Sequence, residues 1–185
     1  QREAYERLNF CGVPLGFVTE EMLLAGFADL DLLVVPAARH ASDGVRAAVA
    51  ALAERGVTVV LIGDECLTLT PQGRPRPQPA PLRAPVLSGV PDTDAWLFRL
   101  EQAGCAPSVQ CVGPAGAGSQ PAEFRTAEFR GQTLGYLIGI GKQSGPVALR
   151  HADGRPVRWR SLLSDRQGSG TYPVEPYTVD LFVIE

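Results

Sequence analysis

Lysine, histidine and methionine are scarce in this chain: its 185 residues hold one lysine (Lys142), two histidines and one methionine. The 17 basic residues are otherwise all arginine, set against 20 acids for a net charge of -3. Nucleic-acid and anionic-membrane surfaces need clustered cations, and this balance argues against either partner. With the abundant alanine, glycine and proline, the arginine bias reads as a GC-rich coding sequence. No apolar run approaches the roughly 18 residues that cross a bilayer as a helix, and no basic segment followed by an apolar one opens the chain. The sequence begins at Gln1 in a helix-prone stretch, Arg2 to Leu8, and reads as a piece of a longer protein.

Catalytic motifs are also scarce. Cys11, Cys66, Cys105 and Cys111 form no C-x-x-C pair and no metal-ligand spacing, so the expectation is free, buried thiols in a reducing, cytoplasmic compartment. His40 and His151 are lone imidazoles, and no metal is expected. No glycine-rich turn opens a helix, where backbone N–H groups could cradle a phosphate; Gly139-x-Gly141 falls in a hairpin instead. No G-x-S-x-G occurs, and no cofactor is expected.

What is present is a change of period along the chain. Apolar residues make up 45%, enough for a buried core. Val13 to Val18, Leu32 to Val35 and Val57 to Ile62 read as strands, the last two continuously apolar as in a sheet covered on both faces. Between them, Thr19 caps a helix with acids in its first turn, and Ser42 or Asp43 starts another that runs to Glu54 and ends at Gly56. The stretch from Thr70 to Pro91 is too rich in proline for regular helix and reads as a surface excursion. Asp92 or Thr93 caps a last helix, Asp94 to Ala103, followed by a strand at Ser108 to Val112. After a small-residue linker at 113–121 the pattern alternates. Strands are expected at Glu123 to Arg130, Thr133 to Ile140, Pro146 to His151, Arg155 to Arg160 and Tyr177 to Ile184, with turns at Gly131-Gln132 and Asp153-Gly154. The fold class is therefore α/β over residues 1–112, a parallel sheet with helices on both faces, followed by a small antiparallel β domain at 122–185.

Open parallel sheets bind ligands at the carboxyl ends of their strands. Those ends carry Glu20, His40, Asp64, Glu65 and Cys66. Cys66 with His40 and Glu65 is the one arrangement with nucleophilic potential, although Gly63-Asp64-Glu65-Cys66-Leu67-Thr68 lacks the small residues of a nucleophile elbow. Glu20 with Glu65, or Asp64 with Glu65, is the only carboxylate pairing for glycoside cleavage, and first-turn helix acids explain Glu20 better. Trp159, Tyr172 and Tyr177 in the β domain are the candidates for stacking on sugars, but core or hairpin packing is the favoured role. Trp96 and Phe98 lie two residues apart on the last helix, roughly 200° around it, so one must face away from the sheet.

Several phrases resemble a known family. Tyr5-Glu6-Arg7-Leu8, Val13-Pro14-Leu15-Gly16-Phe17-Val18-Thr19-Glu20, Asp31-Leu32-Leu33-Val34-Val35-Pro36 and Val57-Thr58-Val59-Val60 look like the middle domain of family-42-type β-galactosidases. Phe124-Arg125-Thr126, Gly131 to Ile138, Pro146 to Leu149, Ser161 to Ser164 and Val174 to Val179 look like the terminal β domain of such glycosidases. The resemblance implies a class I glutamine-amidotransferase-like fold serving trimerisation, with the catalytic glutamates on an upstream barrel of about 250 residues that this chain does not contain. It carries over no catalytic residue, because the amidotransferase Gly-x-Cys-x-Gly elbow and His-x-Glu pair are absent. The leading reading is an accessory and oligomerisation fragment whose partners are the catalytic barrel, further copies of itself and carbohydrate. The alternatives are a stand-alone amidotransferase-like hydrolase using Cys66 and His40, and a carbohydrate-binding or structural module of another enzyme.

Overall fold

The structure, a computed structural model, describes residues 2–76, 82, 84–113, 122–140 and 145–185. It divides into two compact units, Gln1–Arg7 with Leu15–Cys105, and Leu8–Pro14 with Ala106–Glu185.

The first unit is α/β. After α1 (Arg2–Phe10) comes the short α2 (Glu20–Leu24), whose Thr19 hydroxyl accepts the Met22 N–H at 3.2 Å. Strand β1 (Leu32–Pro36) leads to α3 (Asp43–Glu54), capped by Ser42 through the Val45 N–H at 3.1 Å. Helix α3 ends at Gly56, where a φ of 94° suits glycine alone. Strand β2 (Thr58–Ile62) then pairs in parallel with β1, and β3 (Val86–Leu87) pairs in parallel with β2, giving the order β1-β2-β3. Val45, Val49 and Leu52 of α3 pack with Leu33, Val59 and Leu61 on one face of this sheet. Val60 and Ile62 on the opposite face are buried too, which is why β2 is apolar without alternation. Each such side chain contributes about 1.5–3 kcal/mol on full burial. Helix α4 (Thr93–Gln102) is capped by Asp92, which accepts the Ala95 N–H at 2.9 Å. Trp96, Leu97 and Leu100 are buried, and Phe98 points outward at 59% exposure.

The second unit is a two-sheet antiparallel sandwich. Its strands are β4 (Val109–Val112), β5 (Ala122–Phe129), β6 (Gln132–Gly139), β7 (Gly145–His151), β8 (Arg158–Ser161), β9 (Gln167–Ser169), β10 (Thr171–Val174) and β11 (Val179–Ile184). They form a three-stranded sheet β10-β7-β4 and a five-stranded sheet β5-β6-β11-β8-β9. Side chains from both sheets make one core, in which Phe124, Trp159, Tyr172 and Phe182 stack or tilt on one another. Gly135 is needed there, because a Cβ would stand 2.6 Å from the Phe182 ring.

Four expectations are corrected. Val13 to Val18 forms no strand; Pro14 offers no N–H, and Leu15 and Phe17 are exposed. The parallel sheet takes its third strand from the proline-rich stretch, at Val86–Leu87. Val109–Val112 does not continue the parallel sheet but pairs antiparallel with β7, so the first unit ends at Cys105 rather than at 112. The β5–β6 turn is Arg130-Gly131, one residue earlier than expected, both in the left-handed region as a two-residue hairpin turn requires. The expected linker lies almost wholly outside the described residues, as do parts of the excursion and Gly141. The Asp153-Gly154 turn does fold the chain back, with the His151 N–H on the Arg155 carbonyl at 2.8 Å. The pairing continues through the Pro156–Arg150 bridge and the Val157 N–H, which donates to the Leu149 carbonyl at 3.1 Å; after that β8 crosses to the five-stranded sheet.

Candidate functional site

The first place to look is the carboxyl edge of the parallel sheet, and it is closed by backbone. The Ala37 N–H donates to the Ile62 carbonyl at 2.8 Å, Leu67 to Ala38 at 2.7 Å, Leu69 to Arg39 at 3.0 Å, and Ala41 to Leu69 at 3.1 Å. The two loops that leave β1 and β2 thus continue the pairing beyond the strands. Ala37 and Leu67 adopt left-handed φ values of 51° and 59° to make these contacts. The Arg76 guanidinium, largely buried, binds the Ala41 carbonyl and Asp43 and ties the following segment to the start of α3. The crevice in which an open α/β sheet would seat a ligand is filled by the chain itself.

The side chains expected there do not converge. Cys66 is buried, and its thiol donates to the Val35 carbonyl at 3.4 Å. Burial pushes this thiol up, against a smaller downward pull from the backbone at Ala38 and Ile62, the reverse of what activates a nucleophile. His40 is held through its backbone in a bridge to Leu69, with its ring beside Gly73. Glu65 pairs with Arg39 at 2.7 Å on the surface, and Glu20 opens α2 behind the Thr19 cap. An open depression of about 360 Å³, lined by Asp31, Arg55 and Val57 among others, lies at the amino ends of β1 and β2, opposite the edge that carries chemistry in such sheets.

In the sandwich the three aromatic candidates separate. Trp159 is 4% exposed and donates its indole N–H to the Thr171 carbonyl at 3.0 Å, while Tyr172 is 1% exposed. Both belong to the core and present no face to a sugar. Their strands carried the signal: Arg158-Trp159-Arg160 and Thr171-Tyr172-Pro173 alternate exposed, buried, exposed. Tyr177 is different, 71% exposed with a left-handed φ of 56°. Its turn seats against the end of β6, where a Cβ at Gly139 would stand 2.1 Å from the Glu175 carbonyl oxygen.

One polar cluster escaped the sequence reading. Asp180 points into the sandwich from β11 and accepts hydrogen bonds from the Tyr172 hydroxyl, the Ser161 hydroxyl at 2.8 Å, the Leu181 N–H at 2.9 Å and Arg166 at 3.1 Å. Burial pushes the Asp180 carboxyl up, but these donors outweigh it and hold it below the usual carboxylate range. Burial, then the bond and charge of Asp180, push the Tyr172 phenol up. Arg166 also lies over the Tyr172 ring at 5.7 Å and pairs with Glu175 at 3.5 Å. Ser161 accepts the Leu163 and Ser164 N–H groups at 3.1 Å, so the cluster organises the 161–166 loop. The carboxylate oxygens of Asp180 and the hydroxyls of Tyr172 and Ser161 are all engaged within the protein, and the cluster offers no acid–base pair to a substrate.

Cys66, Cys105 and Cys111 are free thiols, and Cys111 lies deep in the sandwich core, where burial pushes it up to about 12. Among the described residues no group of three His, Cys, Asp or Glu side chains could hold a metal ion, and no helix is long and apolar enough to cross a membrane.

No protein-family model and no curated protein matches the chain. Solved structures do. An exo-carrageenase of glycoside hydrolase family 42 from Bacteroides ovatus superposes with a TM-score of 0.81 at 21% identity, over 99% of this chain and 26% of that one. A family-42 β-galactosidase from G. stearothermophilus gives 0.66 at 10%, over 98% and 35%. A β-galactosidase from Bacillus circulans sp. alkalophilus gives 0.61 at 11%, over 99% and 37%. At such identities the likeness shows fold alone: the chain has the fold of a segment of family-42 structures. The chain spans between about a quarter and two-fifths of the length of the structures it matches.

Proposed function

We propose that this chain is a non-catalytic accessory part of a family-42-type glycoside hydrolase, an amidotransferase-like α/β unit followed by a terminal β unit. The observation that carries the reading is the match over nearly all of this chain and a minority of each relative, including a β-galactosidase and an exo-carrageenase. The closed carboxyl edge supports it, since an α/β sheet that has lost its ligand crevice can still serve as a scaffold. An assembly role in the parent enzyme belongs to the same reading, and Phe98 on α4 is the exposed aromatic that would take part. A stand-alone hydrolase gains no support: the Cys66 thiol is turned to a backbone carbonyl and shifted away from thiolate formation.

The purified chain is expected to leave a panel of chromogenic aryl glycosides, galactosides included, unhydrolysed. Turnover that survives repeated purification and disappears in Glu20→Gln or Glu65→Gln protein would defeat the reading.

A further inference from the structure

The outer face of the five-stranded sheet carries charged side chains on β5 and β8, but along β6 and β11 it is apolar where an antiparallel sandwich normally faces water with polar side chains. Phe182 and Asp180 point inward, so their neighbours on β11 point outward. The register pairs Val183 with Leu134, Leu181 with Tyr136, and Val179 with Ile138, three apolar cross-strand pairs in a row. Coverage of this stripe is uneven. At one end Val183 is 7% exposed, and at the other Val179 is 60% exposed. Arg125, on the same face beside Tyr136, holds the Asn9 carbonyl at 2.6 Å, so the chain's own residues cover part of the stripe. The Val179 end is left open.

Other exposed apolar residues of this unit gather at that end. Ile140 follows Gly139, whose backbone is bonded to both Tyr177 and Thr178 at 2.8 Å. The Leu162 N–H donates to the Leu181 carbonyl at 2.7 Å, which sets Leu162 beside the stripe, and Leu163 follows it. Ile140, Leu162, Leu163, Tyr177 and Val179 are all exposed, and they share one end of one sheet. Two devices hold them in place: the Asp180–Ser161 cluster fixes the Leu162–Leu163 loop, and Gly139 seats the Tyr177 turn. An aliphatic-rich cluster on ordered backbone is the composition of a protein contact, since a sugar platform would need more than one aromatic face.

We infer that this end of the sandwich is the seat of the remaining part of the parent polypeptide. The inference rests on the accessory reading above, and it names the surface through which that role is exercised. The occupant follows from coverage: the relatives match this fold over 26–37% of their length, so most of each such protein lies outside it. The stripe is also continuous with a surface already covered by this chain's own residues near Arg125, as expected of a contact that extends along one polypeptide.

Hydroxyl-radical footprinting read by mass spectrometry tests it on two proteins, this chain and the intact polypeptide encoded by the reading frame that contains it. Ile140, Leu162, Leu163, Tyr177 and Val179 are expected to be labelled in the chain alone at every concentration and protected several-fold in the intact polypeptide. Phe129, exposed at the opposite end of the sheet, should be labelled equally in both. A Leu163→Glu change in the intact polypeptide should restore labelling of Tyr177 and Val179, while leaving the thermal midpoint of the chain alone unchanged. Equal labelling of the five in both proteins overturns the inference. So does protection in the chain alone: if it rises with concentration the occupant is a second copy, and if it does not the occupant is this chain's other unit. An intact polypeptide that cleaves glycosides with the patch still labelled sinks this inference and spares the functional reading. A protected patch on a polypeptide without glycosidase activity does the converse.

Discussion

Replacing Asp180 by alanine should cost the sandwich about 2–6 kcal/mol, because it leaves two buried hydroxyls without an acceptor. The structure supplies the terms. Asp180 is 6% exposed, and two of its donors, the hydroxyls of Tyr172 and Ser161, belong to residues 1% and 3% exposed. Each hydroxyl left without an acceptor costs about 1–3 kcal/mol. Arg166 adds little, because its side chain is 41% exposed and water can take over its N–H groups. Asp180→Asn should cost roughly half as much, since the amide keeps one acceptor oxygen but turns its NH₂ toward donors. The pH dependence has a definite sign. The folded carboxyl lies below its unfolded value of about 3.9, so its contribution is present above that pH and is lost as pH falls through the folded pKa. The Tyr172 phenol lies above its unfolded value of about 10, so its contribution is complete below pH 10 and is lost as pH rises toward the folded pKa. The assay is urea unfolding followed by Trp159 fluorescence in a Trp96→Phe background, for Asp180→Ala, Tyr172→Phe and the double variant, between pH 3 and 10.5. Strong coupling should make the double variant cost less than the sum of the singles. A loss below about 1 kcal/mol for Asp180→Ala, with no change in acid sensitivity, would refute the reasoning.

The thiols give a second expectation. With Cys66 shifted up by burial and Cys111 pushed to about 12, iodoacetamide should label neither at an appreciable rate at pH 7 in folded protein, and both quickly in urea; fast labelling of Cys66 at pH 6 would revive a nucleophilic role. Self-association, if α4 supplies the contact, should appear as a concentration-dependent sedimentation coefficient that Phe98→Ser reduces. A strict monomer up to about 100 μM, well above the micromolar Kd that a standard-size interface can give, would remove α4 from the assembly reading.

Much of the fold could be read from local chemistry, and what could not is long-range. Thr19, Ser42 and Asp92 all cap helices as their positions suggested, because a cap depends on residues within one turn. The uniformly apolar Val59 to Ile62 announced a strand buried on both faces. By contrast, nothing within Val109-Gln110-Cys111-Val112 says that its partner is β7; that pairing is decided by Gln110 meeting Arg150 at 3.1 Å and by Cys111 entering the sandwich core. The two-residue β3 is too short to show any period, and its prolines argued against a strand that only parallel pairing with β2 creates. Arg130 in the left-handed region is a rare choice, so the glycine after it drew the turn one residue late. The alternation of Trp159 and Tyr172 with exposed neighbours is legible in the sequence and fits the packing role favoured over a sugar platform. Asp180, alone between Val179 and Leu181, was hidden because a buried carboxylate is recognisable only once its donors are in view.

The sealed edge of the parallel sheet also bears on engineering. Installing chemistry in an α/β scaffold normally means choosing side chains around a cleft that already exists. Here four main-chain hydrogen bonds occupy that position, two of them anchored by residues held at positive φ. A better thiol at Cys66 or a second imidazole near His40 would therefore change the reactivity of a surface with no room for a reactant. Restoring a site would require re-threading both loops at once, a change of length and backbone that single substitutions do not reach. The sealed edge makes this scaffold an unpromising start for a new enzyme.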